Sequence, residues 1–207
     1  MKRIFTAFIA TMMIAAGALP ALAAFSLNVP LVAGASVTLA SSFRGAVAKL
    51  SWNSTDGHTA EEPATATLVS DGQHLYVRFD VTQSAPLIGL AGGDYVAIDL
   101  WPDGEGSDLH RFGVGLNGAR TTDSTANTTG WEANETTRPG GYTVTMKIPV
   151  TDVPSTSAVR VQFSRWIAST GELQVWAHSS AASNLAEAGT LMVSGSVGAA
   201  ALSPSQP

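Results

Sequence analysis

Five tryptophans stand in this chain of 207 residues, and four of them lie close to side chains that hydrogen-bond well. Trp101 follows Asp99 by two positions, Trp131 lies between Gly130 and Glu132, Trp166 adjoins Arg165 near Gln162, and Trp176 is flanked at two positions by Gln174 and His178. An indole presents a flat π face to C–H groups, and amide, carboxylate and guanidinium groups match hydroxyls. Trp131, Trp166, Trp176 and Trp101, with Arg165 and Gln162 as hydroxyl partners, therefore form a candidate set for stacking a sugar ring. Each also has an ordinary structural use, since large aromatics are seldom left fully exposed and pack under loops. Trp52, close behind Leu50, reads as core.

A second chemistry is written in Asp99–Asp108 (DLWPDGEGSD), where four acids surround two glycines. Asp103, Glu105 and Asp108 are hard oxygen donors that would suit a calcium ion. The segment lacks the fixed spacing and closing glutamate of the known calcium loop, and a solvated acidic turn has the same composition. Catalytic signatures are missing: there is no cysteine, no Gly-x-Ser-x-Gly elbow, no His-Glu-x-x-His and no phosphate-binding glycine loop. The four histidines (His58, His74, His110 and His178) show no ligand spacing. Few acids fall within expected strands, chiefly Asp80 and Asp99, so paired carboxylates for glycoside hydrolysis have little to draw on. The chain is expected not to be an enzyme.

The elements that position these residues read as strands. His74 to Val81 alternates Leu75, Val77, Phe79 and Val81 on one face with His74, Tyr76, Arg78 and Asp80 on the other. Period two over eight residues is a half-buried antiparallel strand. Asp71-Gly72 marks a hairpin turn after a strand over Ala64–Val69. Similar alternation predicts strands at Tyr95–Trp101, Arg111–Asn117, Tyr142–Ile148, Val159–Ile167 and Leu173–His178, with Leu191 and Val193 closing the sheet. No stretch after residue 23 carries helical apolar spacing. An all-β, antiparallel sandwich of jelly-roll-like, lectin-like form follows. In Val159–Ile167 the apolar phase is Val159, Val161 and Phe163, which sets Trp166 with Arg160, Gln162 and Ser164. In Leu173–His178 the apolar phase is Leu173 and Val175, which sets Trp176 with Gln174 and His178.

The N-terminus predicts export. Lys2 and Arg3 precede an uncharged run from Ile4 to Leu19, Pro20 ends it, and Ala21-Leu22-Ala23 is the small-x-small pattern of signal cleavage. Residues 1–23 read as a signal peptide, 24–42 as a lead-in, 43–193 as the sandwich and 194–207 as a disordered Ala/Gly/Ser/Pro tail. Losing Lys2 and Arg3 takes the basic count from 11 to 9 against 16 acids, a net charge of −7 on the mature chain. That balance argues against nucleic acid and against anionic membrane surfaces. It also disfavours polyanionic glycans. Without cysteine there are no disulfides, and the core alone must hold a secreted or periplasmic, presumed bacterial, domain.

The segments DGQHLYVRFDV, GDYVAIDLWPDG, RFGVGLNGA, GWEA, GGYTVTMKIPVTDV and RVQFSRWIAS follow one another in an order that resembles the family 9 carbohydrate-binding modules. The nearest branch is the one often found preceding outer-membrane barrel proteins. The resemblance runs from about Phe43 to Val193. It implies a lectin-like sandwich, sometimes with calcium, that binds poly- or oligosaccharide between two tryptophans beside a glycan-degrading enzyme or an outer-membrane partner. It places the first clamp at Leu90-Ala91-Gly92, an acid at Ala97, an arginine at Gly113 and the second clamp near Asn184, and none of these positions carries the expected residue. Two further readings stand beside it. Related sandwiches bind haem in extracellular electron transfer, for which Met146, Lys147, His110 and His178 are the available ligands, although Met146 shares the apolar phase of Tyr142, Val144 and Ile148. A structural or protein-interaction surface module is the third reading.

Overall fold

The computed structural model describes residues 26–32, 45–49, 51–52, 64–102, 108–122, 129–149, 159–176 and 188–193. Residues 1–23, expected as a signal peptide, and 194–207, expected as a tail, lie outside them. Thirteen strands run in chain order: β1 (Ser26–Val29), β2 (Ala46–Lys49), β3 (Ser51–Trp52), β4 (Thr65–Ser70), β5 (His74–Thr82), β6 (Tyr95–Trp101), β7 (His110–Gly115), β8 (Arg120–Thr122), β9 (Glu132–Arg138), β10 (Gly141–Pro149), β11 (Val159–Ile167), β12 (Glu172–Val175) and β13 (Gly189–Val193). Among the described residues there is no helix.

Two sheets face each other. One has the order β1-β13-β11-β6-β7-β8, with β12 joining β11 to β3, and the other the order β2-β4-β5-β10-β9. Neighbours pair antiparallel except β1 with β13, which run parallel. The fold is an all-β sandwich, and the lead-in contributes β1 to it. The C-terminal strand does not close the sheet. Gly189–Val193 lies inside it, between β1 and β11.

The core is the inward phase of each strand. Leu75, Val77, Phe79 and Val81 of β5 and Tyr142, Val144, Met146 and Ile148 of β10 meet Val96, Ile98 and Leu100 of β6 and Val159, Val161 and Phe163 of β11, all fully buried. Phe79 and Phe163 touch edge to face across the sheets with ring centres 6.2 Å apart. Met146 is thus core, as its apolar phase predicts. Lys147 points to the opposite face and pairs with Glu132 at 2.7 Å.

The Asp71-Gly72 turn forms as its residues dictate. Gly72 takes a φ of 87°, and Asp71 Oδ1 accepts the N–H groups of Gln73 and His74 at 2.8 and 2.6 Å. Tyr76 donates its hydroxyl to Asp71 Oδ2 at 2.8 Å. Burial raises the Asp71 carboxyl, but these donors outweigh it and hold the group below its ordinary 3.8.

Two outcomes follow from the core and the turn. Phe79→Ala should cost about 3–5 kcal/mol, whereas Thr136→Ala on the exposed edge strand should stay within about 0.5 kcal/mol, both read from denaturant midpoints. A carboxyl lowered by folding adds stability above its unfolded value and loses it as pH falls through the folded value. The melting temperature of Asp71→Asn should therefore lie below that of the native chain at pH 7, and the gap should close once pH drops below 3.8.

Candidate functional site

The outer face of the larger sheet carries the out-of-phase residues of its strands. On β6 these are Tyr95, Ala97, Asp99 and Trp101, and on β7 Arg111, Gly113 and Gly115. On β11 they are Arg160, Gln162, Ser164 and Trp166. Ala97 stands opposite Gly113, and Gly113 opposite Thr121 of β8. Small side chains in consecutive strands leave a hollow: Gly113 carries no side chain, Thr121 Oγ1 lies where its Cβ would be, and the Ala97 methyl is at ordinary contact distance from that point.

The hollow is a cavity of about 480 Å³, within the usual range for a small-ligand site. Ala97, Gly115 and Thr121 form its floor, Tyr95 and Arg111 stand as walls, and its rims are the Leu90–Asp94 turn and the turn carrying Asn117 and Ala119. Leu90, 74% exposed, is the tip of the first rim, and the rim turns sharply where Gly92 adopts a φ of 75°.

Its electrostatics are fixed from behind. Arg111 donates from Nε and Nη2 to the two oxygens of Asp99, each at 2.7 Å, and Asp99 is only 1% exposed. A bidentate pair of this kind holds a guanidinium in one orientation. Burial raises the Tyr95 hydroxyl above its ordinary range, Arg111 opposing and Asp99 reinforcing. Asn117 Oδ1 accepts the Ala119 N–H at 3.0 Å and lies over Gly115 at the cavity floor.

Asp94 ties the rim to the body of the protein. One oxygen accepts Gln83 Nε2 at 2.9 Å and the Ile88 N–H at 3.2 Å; the other accepts the Ala168 N–H at 2.8 Å. Gln83 Oε1 in turn accepts from Arg165 Nη2 at 2.7 Å, Arg165 Nη1 donates to Gln174 Oε1 at 3.0 Å, and Gln174 Nε2 donates to Glu172 at 2.8 Å. All five side chains are buried.

This chain of contacts corrects the reading of Arg165. It faces inward, in register with Val96, with no exposed surface, and is spent on Gln83, Gln174 and the Thr82 carbonyl. The phase of β12 is inverted for the same reason: Gln174 turns in to meet Arg165, while Val175 takes the outward side opposite Ser164. Gln162 is outward but 1% exposed. Its Oε1 accepts the N–H of Phe163 at 3.1 Å, at the point where the partner of β11 changes from β13 to β12. Neither side chain is presented to a ligand.

The tryptophans divide. Trp101 is 2% and Trp176 6% exposed, and Trp176 lies edge-on to Phe163 with ring centres 5.6 Å apart, within the core. Trp131 is half-buried and lies edge-on to Phe112 at 5.3 Å, with the Arg120 guanidinium 5.7 Å over its ring. Trp166, also half-buried, is the one of the four on the outer face with accessible surface and no ring stacked on it among the described contacts, directly opposite Tyr95. Asp103, Glu105 and His178 lie outside the described residues. Asp108 is engaged with His110 Nε2 at 2.7 Å, and among the described residues no group of three or more His, Cys, Asp or Glu could hold a metal ion.

The residues that line the cavity were legible only in part. Tyr95 and Arg111 lie in the outward phase of strands expected from sequence, and Asn117 in an expected turn, but nothing in the sequence pointed to the hollow made by Ala97, Gly113 and Gly115.

The sequence matches no protein-family model and no curated protein. Its fold matches solved structures. A family 9 carbohydrate-binding module from Caldicellulosiruptor kristjanssonii in complex with cellotriose superposes with a TM-score of 0.64 at 19% identity, covering 88% of this chain and 100% of that one. A family 9 module from the same organism in complex with glucose superposes with a TM-score of 0.60 at 17% identity, covering 81% of this chain and 96% of that one. The chain shares their fold.

Asp94→Ala would take an acceptor from three donors, the buried Gln83 amide and the part-buried Ile88 and Ala168 N–H groups. At about 1–3 kcal/mol for a buried group left unpaired, a loss of about 1–3 kcal/mol is expected in chemical denaturation, and no measurable loss would show that the rim is not held by this carboxylate.

Proposed function

We propose that the protein is a non-catalytic carbohydrate-binding domain of an exported protein, and that its sugar sits in the cavity between the Leu90–Asp94 rim and the β7–β8 turn. One observation carries the reading: the cavity lies over Leu90, Ala91, Gly92 and Ala97, beside Gly113, where the resemblance to family 9 modules sets the sugar site. That its fold is shared with modules solved with cellotriose and with glucose supports the same reading.

The chemistry of the lining fits a neutral sugar. Leu90 and Ala91 offer apolar surface to ring C–H groups, while Arg111, Thr121 and Tyr95 offer donors to hydroxyl oxygens. Asp94 and Asp99 are sealed by their own partners, so among the described residues the cavity presents no pair of carboxylates of the kind glycoside hydrolysis uses. Holding the sugar, rather than cleaving it, is what this lining supports.

Isothermal titration of the protein with glucose and cellotriose tests the proposal. Saturable binding is expected, and Leu90→Ala, which strips exposed apolar surface from the rim without breaking a side-chain hydrogen bond, should weaken it severalfold while leaving the melting temperature within a few degrees. Binding that is indifferent to Leu90→Ala would move the site elsewhere, and no binding at all, with self-association in solution, would favour a protein-interaction module.

A further inference from the structure

We infer that the ligand is an oligosaccharide that leaves the cavity across the strands and lays a second sugar ring on Tyr95 and Trp166. The inference rests on the cavity as the first sugar site. Most of the described outer face of the larger sheet is closed: Ala97, Asp99, Trp101, Gln162, Ser164 and Val175 are each 2% exposed or less. What remains accessible toward β12 is one transverse row, Leu173, Trp166 and Tyr95, all half-buried, which continues into Gly115 at the cavity floor.

The row has the right composition and the right length. Tyr95 belongs to both parts, since it is a wall of the cavity and the direct cross-strand neighbour of Trp166. Residues so paired have side chains about 5 Å apart on one face. From β7 through β6 to β11 are two strand spacings of about 4.8 Å each, so a ligand crossing that span has room for a further ring beyond the one in the cavity. Two aromatic side chains and a leucine supply apolar faces, and the hydroxyl of Tyr95 supplies a polar one. A row of three side chains is far smaller than the contiguous patch of several hundred Å² that marks a protein contact, and its continuity with the cavity assigns it to the same ligand.

Titration calorimetry of the intact chain with glucose and with cellotriose separates the two parts of the site. Cellotriose should bind at least tenfold tighter than glucose. Trp166→Leu, which keeps apolar bulk and removes the π face, should bring cellotriose down to the affinity of glucose and leave glucose within twofold, which also reports that the variant is folded. Trp166→Phe should keep most of the difference. Equal affinities for the two sugars in the native chain, or a difference that survives Trp166→Leu, would overturn the second subsite while leaving the cavity reading standing. Parallel loss of both sugars in Trp166→Leu would make the ring part of the first site and overturn the two-ring arrangement. Failure of the native chain to bind either sugar would overturn the cavity reading and the track with it.

Discussion

A guanidinium between two apolar sheets must be surrounded by acceptors, because an isolated buried charge costs several kcal/mol and removing a partner from a buried charge network is strongly destabilising. Arg165 is that group, with no exposed surface on the inner face of β11. Its acceptors come from distant parts of the chain: Gln83 from the segment after β5 and Gln174 from β12. The carboxylates of Asp94 and Glu172 close the two ends of the series. Satisfying one charge therefore fixes the start of β12, the path after β5 and, through Asp94, the rim of the cavity. Loops that would otherwise be set only by length are held by hydrogen bonds of 2.7 to 3.2 Å.

The strands of the sandwich were legible wherever the inward phase is mostly apolar and the outward phase mostly polar or small. Tyr95–Trp101 and Val159–Ile167 fall where the alternation sets them, and β5 and β10 extend their expected spans by a residue at one end or at both. Glu132–Arg138 was not legible, since an edge strand with most of its side chains exposed carries no apolar period. The phase of β12 was misread because its polar residue serves a buried charge. Alternation assumes that apolar residues point inward, and Arg165 reverses that assumption for Gln174 and Val175.

The site was less legible, and the reason is physical. Large aromatics draw attention in a sequence, yet bulk is also what fills a core: Trp176 lies in the core, Trp101 is buried on the outer face and Trp131 packs against Phe112. A cavity is made by the residues that are small. Ala97, Gly113 and Gly115 leave no mark on a hydrophobic pattern, and they form a hollow only because register places Ala97 opposite Gly113 and Gly113 beside Thr121. That information lies in the pairing of strands distant in sequence.

The position of the ion pair follows from the same hollow. The resemblance calls for an acid at Ala97 and an arginine at Gly113, which would face each other across β6 and β7 at the centre of the floor. In this chain the acid and the arginine are Asp99 and Arg111, also directly opposed, but two residues along each strand and so one full pleat away on the same face. Asp99 is sealed beneath the guanidinium, so its charge orients Arg111 rather than meeting a ligand. The exchange leaves a floor of methyl, hydroxyl and bare backbone with the charged pair at its edge. Under the proposed function, a site so built would recognise a sugar by the shape of its floor and by donors at its rim, with less demand on any single carboxylate–hydroxyl contact. That is the arrangement in which an added aromatic contact beyond the wall, at Trp166, has most to contribute to affinity.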